Sequence, residues 1–396
     1  MKFDKHDGDT PLSFASIKIR VRNFGKFKVY EMLQQHTDTT FLDAAKVHKS
    51  HGARYFIIRL SRKPLERTFY IFNYFGGRKL QLSDCDHQDL TMKFEVPFDV
   101  KSGRKTAFGK VYQSNFCGLK MVNPLPDAAE IPAHYELPKY YTHGTGHIPE
   151  RQPTLAERVV THLAWRSDFG TELDPADLLE PKGVRRSVLD IGCGAGNLLS
   201  SFSEMNMETT GVDPDKEARF QAEKRGHRVY SGTAEAMPEE LANQKFDVVL
   251  MTHVLEHCQN PTLALENAKN FLSQDGVLYC EVPNAGSLYF ETYGQISEML
   301  DVPRHLFFFK KDDLELLADK VGLKITEWKY HGLTRHFNAP WKHWENSIFD
   351  GLVEAGAELK SSRRSIFGDL MLLSSGIFMP RKRRYDSIGF VARGNP

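Results

Sequence analysis

The strongest constraint on the fold lies in residues 187–199, which read SVLDIGCGAGNLL. An apolar run, 188–191, ends in three glycines within five residues (Gly192, Gly194 and Gly196), and a helical pattern begins at once. Glycine costs conformational entropy and is used where the main chain takes left-handed angles or is approached closely. From this point apolar runs alternate with helical ones. Residues 209–212, 228–230, 247–252 and 276–282 read as strands, and 197–205, 216–225, 263–272 and 311–321 as helices. Such alternation predicts a parallel sheet covered on both faces. A glycine turn between its first strand and first helix predicts a ligand at the carboxyl edge of that sheet, facing free N–H groups and a positive dipole end.

Two carboxylates sharpen the ligand class. The spacing Gly192-x-Gly194-x-Gly196 is not the G-x-G-x-x-G of dinucleotide sites. Asp213 ends the second strand, 21 residues past Gly192, where a carboxylate accepts hydrogen bonds from ribose hydroxyls. Asp190 stands just before the glycines. An anion there answers an ammonium group and disfavours a pyrophosphate, so the pair predicts a cationic nucleoside.

The segments VLDIGCGAGNLL, GVDPD, FDVVLMTHVLEH, GVLYCEVPN and GLKITEW, in this order, resemble the class I S-adenosylmethionine-dependent methyltransferases. The resemblance covers about residues 154–396 and, more loosely, 116–146. It implies an α/β fold: a doubly wound, seven-stranded Rossmann-like sheet with its last strand antiparallel. It further implies that Asp190, Gly192, Gly194 and Asn197 line the methionine end of S-adenosylmethionine, that Asp213 holds the ribose, and that Thr233, Ala234 and Glu235 bind adenine. Many members carry Asp where Thr233 stands. His253, at the end of the fourth strand, is expected beside the reactive carbon. Tyr141 and His143, in YYTHG, belong to a segment that in this family folds over the cofactor.

A methyl on a sulfonium is already activated, so the protein must align the reactants and remove a proton from a hydroxyl or carbon-acid acceptor. His305, in DVPRHLFFF, is the expected general base. Methyltransferases acting on sugars and small metabolites carry a similar His before an aromatic pair. Arg304 beside it is expected to pair with an anionic acceptor, with Glu281 and Asn284 as further candidates at the same strand end. The reading is methyl transfer to a small molecule: a sugar hydroxyl of a surface polysaccharide or its precursor, or a quinone or other secondary metabolite. A non-catalytic binding or scaffold protein on the same fold, or a protein methyltransferase, is the alternative.

The rest of the chain adds organisation. Residues 1–105 are rich in aromatic and β-branched runs, with strands at 54–60, 67–75 and 93–100, and read as a β-rich accessory domain that selects the acceptor or pairs subunits. Residues 106–153, proline-rich, read as a connector and cofactor flap. Residues 154–396 form the expected methyltransferase domain, opening on a helix over 154–179 and carrying a helical insertion, 333–386, before the last strand. Fifty-two basic against fifty-one acidic residues give a net charge of +1, so no global field favours nucleic acid. RKRR at 381–384 reads as a solvated loop. Five scattered cysteines argue for a reducing, cytoplasmic setting, and no apolar run is long enough for a membrane span. SNFCG at 114–118 resembles the end of a zinc ribbon in which Ser114 replaces a ligand. With only Cys117 there and Cys85 and His87 far upstream, no metal is expected.

Overall fold

The computed structural model describes residues 41–50, 53–62, 65–72, 90–115, 117–127, 129–135, 151–178 and 186–394. The chain divides into two compact units, Met1–Lys79 and Leu80–Pro396. In the first, strands β1 (Phe41–Ser50), β2 (Ala53–Arg62) and β3 (Leu65–Phe72) form an antiparallel sheet in sequence order. The second carries everything that follows.

Strands β4 (Leu90–Glu95), β5 (Lys110–Ser114) and β6 (Lys120–Val122) form an antiparallel meander. The sequence reading places a boundary at residue 105, yet β4 and β5, on either side of it, pair directly. The contacts move the division to Lys79, and the expected irregular connector contains two strands. Both strands are short, and the glycines and proline beside them, Gly109, Gly118 and Pro124, mask them in the sequence.

The main sheet is built from β7 (Ser187–Ile191), β8 (Glu208–Asp213), β9 (Arg228–Ser231), β10 (Phe246–Thr252) and β11 (Leu272–Pro283). A two-residue β12 (Phe307–Phe308) extends the small sheet to the order β12-β6-β5-β4. Strands β13 (Leu323–His331) and β14 (Ser387–Gly394) complete the large one, in the order β13-β14-β11-β10-β7-β8-β9. Strand β14 runs antiparallel to both neighbours; the other pairs are parallel. Val188, Leu189, Val248, Val249, Leu250, Leu278 and Cys280 are wholly buried. Successive residues on these strands point to opposite faces, so both faces are covered, as a parallel sheet requires.

Helix α1 (Leu155–Arg166) starts from a capping box in which Thr154 and Glu157 satisfy each other's backbone N–H groups. It stops at Ser167, well short of the expected 179, and the chain turns at Asp168-Phe-Gly170. Helices α2 (Asn197–Glu204), α3 (Lys216–Lys224), α4 (Pro261–Asn270), α5 (Leu288–Tyr293) and α6 (Lys311–Lys320) follow. The insertion holds α7 (Ala339–Glu354), α8 (Ile366–Ile377) and a single turn, α9 (Arg381–Arg384), over RKRR. It is tied down by buried ion pairs. Lys342 bridges Glu157 and Asp369 at 3.0 and 3.2 Å, and Arg364 meets Glu345 and Asp369. Breaking such a pair strands a buried charge, so the insertion is a fixed subdomain.

Candidate active site

The glycine turn sits at the carboxyl ends of β7 and β8. Gly192 has φ +77°, and a Cβ there would lie 2.3 Å from Val254 Cγ2, so packing alone demands glycine. Gly194 differs: its φ is +51°, but a Cβ would meet nothing within 4 Å. Its backbone faces open space, and its N–H donates to Asp213 Oδ2 at 2.8 Å. Asp213 also accepts from Asp215 N at 2.8 Å and is buried, which raises its pKa. Helix α2 begins here without a side-chain cap, with Asn197 exposed at its first position.

Asp190 is buried, and its Oδ1 has no hydrogen-bond partner. Burial, with the charge of Asp213 added, pushes its pKa up to about 8. A buried polar atom without a partner costs about 1–3 kcal/mol, a penalty that a cationic ligand would remove. Thr233 is exposed and its hydroxyl accepts from Ala236 N; Ala234 is buried. The Glu235 carboxylate accepts from the backbone of Gln259 and Asn260, which leaves it tying two loops together. Tyr141 and His143 lie outside the described residues.

A second cluster follows β10. His253 has φ +55°, rare for a residue with a Cβ and characteristic of functional sites. Its Nδ1 lies 3.2 Å from Glu256 Oε1 and its Nε2 3.3 Å from Glu281 Oε1. Burial alone would lower its pKa, but these two carboxylates raise it to about 10. Glu281 also meets His331 at 2.9 Å, and the two histidines hold its carboxyl well below the usual range against burial. His253 is therefore a held cation in this arrangement, not the free base expected of a neutral imidazole.

His305 is buried, its Nδ1 2.9 Å from the Met299 carbonyl and its Nε2 3.9 Å from Glu256 Oε1. A carbonyl only accepts, so Nδ1 carries a hydrogen. The His257 ring packs edge-on at 4.6 Å, its Nδ1 on the Arg304 carbonyl at 3.0 Å and the Tyr135 hydroxyl at 2.9 Å. Burial, then the charge of His305, lowers its pKa to about 4. The small sheet fixes this loop: Leu306 N donates to the Glu256 carbonyl, and Val122 N to the Leu306 carbonyl.

Arg304 corrects the sequence reading. Nε donates to Asp301, Nη1 to Asp99 and the His134 carbonyl, and Nη2 to Asp99 and Asp301, at 2.6–3.0 Å. All five N–H donors are engaged within the protein, which leaves none for an anionic acceptor. Asn284 is likewise structural: its amide donates to the Lys382 and Tyr385 carbonyls and accepts from Gly286 N. Glu256, which the sequence reading passed over, is the hub instead. An acid three residues after one histidine and just before another is the signal that could have found it.

A family model described as a methyltransferase domain matches residues 169–327. The ubiquinone biosynthesis O-methyltransferase of Actinobacillus pleuropneumoniae is 31% identical over 180 residues, 41% of this chain and 74% of that protein. The protein of the same name from Ruegeria sp. is 32% identical over 154 residues, 36% of this chain and 62% of its own. The chain thus spans between about three-fifths and three-quarters of these relatives' length. A solved methyltransferase of Thermotoga maritima, described as a possible histamine N-methyltransferase, aligns over 61% of this chain and 92% of its own, with 18% identity and a TM-score of 0.36.

Proposed function

Because this chain belongs to the S-adenosylmethionine-dependent methyltransferases, we propose that it methylates an oxygen of a small-molecule acceptor, a phenol of the quinone-precursor type or a sugar hydroxyl. The residues fit the cofactor. Asp190 would receive its ammonium group, the open backbone at Gly194 and the uncapped start of α2 its carboxylate, and Asp213 its ribose. When bound, S-adenosylmethionine supplies a methyl group on a cationic sulfur, open to in-line displacement by a nucleophile. The observation that carries this assignment is the orphaned Asp190 oxygen beside Gly194.

The acceptor side is the histidine cluster at the same carboxyl edge. His305 is the base in this reading. Its Nδ1–H, held by the Met299 carbonyl, fixes the ring and leaves Nε2 free to take the acceptor's proton. Glu256, 3.9 Å away, would then stabilise the imidazolium that forms. His253 positions Glu256 and Glu281 rather than accepting the proton. The phenolic acceptor is favoured by the names of the relatives; the sugar reading rests on the RHLFFF motif. The test is turnover with catechols and with nucleotide-sugar acceptors. His305→Gln should abolish most turnover while S-adenosylhomocysteine affinity, measured by calorimetry, changes little. A large affinity loss would move His305 to the cofactor side.

A further inference from the structure

A cavity of about 820 Å³ opens between α1 and the start of the helical insertion, and Arg151, Arg158, His162, Trp165, Thr334 and Asn338 stand in its walls. That volume is in the range of clefts that hold small ligands. Among the described residues no carboxylate lines it. The acids of the surrounding segments are satisfied elsewhere. Glu157 is buried, accepts from Thr154 N at 2.8 Å and pairs with Lys342 at 3.0 Å. Asp168 accepts from the backbone N–H and hydroxyl of Thr334. Arg151 reaches Glu157 at 3.2 Å, an oxygen it shares with Lys342. Arg158 is exposed, and its guanidinium has no partner among the described residues. Helix α7, 16 residues long, starts at this cavity without a side-chain cap and without an acid in its first turn, which adds to the positive field.

The aromatic wall is equally open. Trp165 is 64% exposed, and the His162 ring lies 5.8 Å from it, tilted by 32°. Such faces stack with a flat heterocycle. The position is also informative. Thr334 follows closely on the end of β13, whose last residue, His331, meets Glu281 at 2.9 Å; Glu281 in turn meets His253. The cavity wall therefore stands at the carboxyl edge of the sheet, the edge that carries the histidine cluster.

We propose that this cavity binds a nucleoside diphosphate, the handle of a nucleotide-linked acceptor. The base lies against Trp165 and His162, and the phosphates meet Arg158, Arg151 and the start of α7. Guanidinium groups match phosphate oxygens in both charge and fork geometry. The binding rests on the cavity alone. Its role as a handle rests on the methyl-transfer reading, within which it favours the sugar acceptor, since a simple phenol brings no phosphate for these cations to answer. S-Adenosylmethionine has no phosphate either, so the cavity is separate from the cofactor's place.

Calorimetry on the full chain, saturated with S-adenosylhomocysteine so that the cofactor pocket is filled, reads the cavity directly. The probes are uridine and thymidine diphosphates, with inorganic pyrophosphate and uridine as the two halves. A nucleoside diphosphate should bind more tightly than either half. Arg158→Gln should weaken it at least about tenfold. Trp165→Ala should weaken it at least about fivefold and leave pyrophosphate affinity unchanged, a split that general damage to the fold would not give. Both side chains are exposed on α1, and unchanged S-adenosylhomocysteine affinity checks folding. With a nucleotide-linked hexose as acceptor, Arg158→Gln should raise KM and keep kcat. No nucleotide binding at about 1 mM, a very weak affinity, by protein that binds S-adenosylhomocysteine overturns the site and spares the methyltransferase reading. Nucleotide affinity unchanged in both variants overturns it too, by moving the nucleotide elsewhere. Methyl transfer to phosphate-free phenols alone, while the nucleotide still binds, overturns the handle role. Failure of the wild type to bind S-adenosylhomocysteine strikes the cofactor assignment alone, and the nucleotide titration still reads the cavity.

Discussion

Asp190 and Arg304 are both shut away from solvent, yet their surroundings are opposites. Arg304 directs five donors at two carboxylates and a carbonyl, and each is answered. Asp190 has an oxygen with no partner and a second carboxylate, Asp213, as its electrostatic neighbour. Satisfied buried charge fixes structure; unsatisfied buried charge is a cost the fold carries for something that arrives later. On this basis Arg304 anchors its own loop, and Asp190 is the residue proposed to meet the cofactor.

The largest effect should come from the satisfied side. Arg304→Met leaves Asp99 and Asp301 facing each other without the guanidinium, and should cost about 3–5 kcal/mol, read from urea unfolding. A loss below about 1 kcal/mol would erase the distinction from Asp190. On the other side, Asp190→Asn should match wild type in stability near pH 4 and exceed it near neutral pH, where wild type holds a proton that its unfolded chain releases. It should weaken S-adenosylhomocysteine binding at least tenfold, about 1.4 kcal/mol, by calorimetry. Asp213→Ala should cost a similar factor through the ribose; equal affinity in either variant removes that contact.

Acidity sharpens the same contrast. The Asp190 pKa is raised to about 8 from an ordinary 3.8. Between these values the folded protein binds a proton that the unfolded chain releases, so this group's contribution to stability falls as pH rises from about 4 to 8. Wild type should lose stability across that window relative to Asp190→Asn. Binding of a ligand ammonium ionises Asp190, so calorimetry at pH 6.5–7 in buffers of different ionisation enthalpy should show proton release that the variant lacks. No release would mean that the ammonium sits elsewhere. The smallest effect is that of Gly194→Ala: with open space around it, only its left-handed backbone is strained, at about 1 kcal/mol. Gly192→Ala meets Val254 as well and should cost more. Equal losses would show that Gly194 too is packed against something.

The difference between the two sites also explains what could be read from the sequence. The glycine turn, the strand–helix alternation and Asp213 are local in the chain, and the sheet order and antiparallel β14 follow the family pattern. Arg304 was misassigned because its partner Asp99 lies 205 residues away, and no spacing rule reaches that far. Glu256 went unread because its importance is its burial between histidines from two loops. Strands β5 and β6 were hidden by their shortness, by the glycines and proline that flank them, and by a partner as short as β12.

That short partner has a consequence for how the molecule is made. Met121 pairs with Phe307, so one edge of the small sheet must wait for nearly half the chain to be synthesised. At roughly 5–20 residues per second on the ribosome, the wait is about 10–40 s. For that interval the β5–β6 hairpin presents unsatisfied main-chain groups to the cell. Lys120, the first residue of β6 and opposite Phe308 in the finished sheet, is the kind of residue that keeps such an exposed ribbon from joining its neighbours on a polysome.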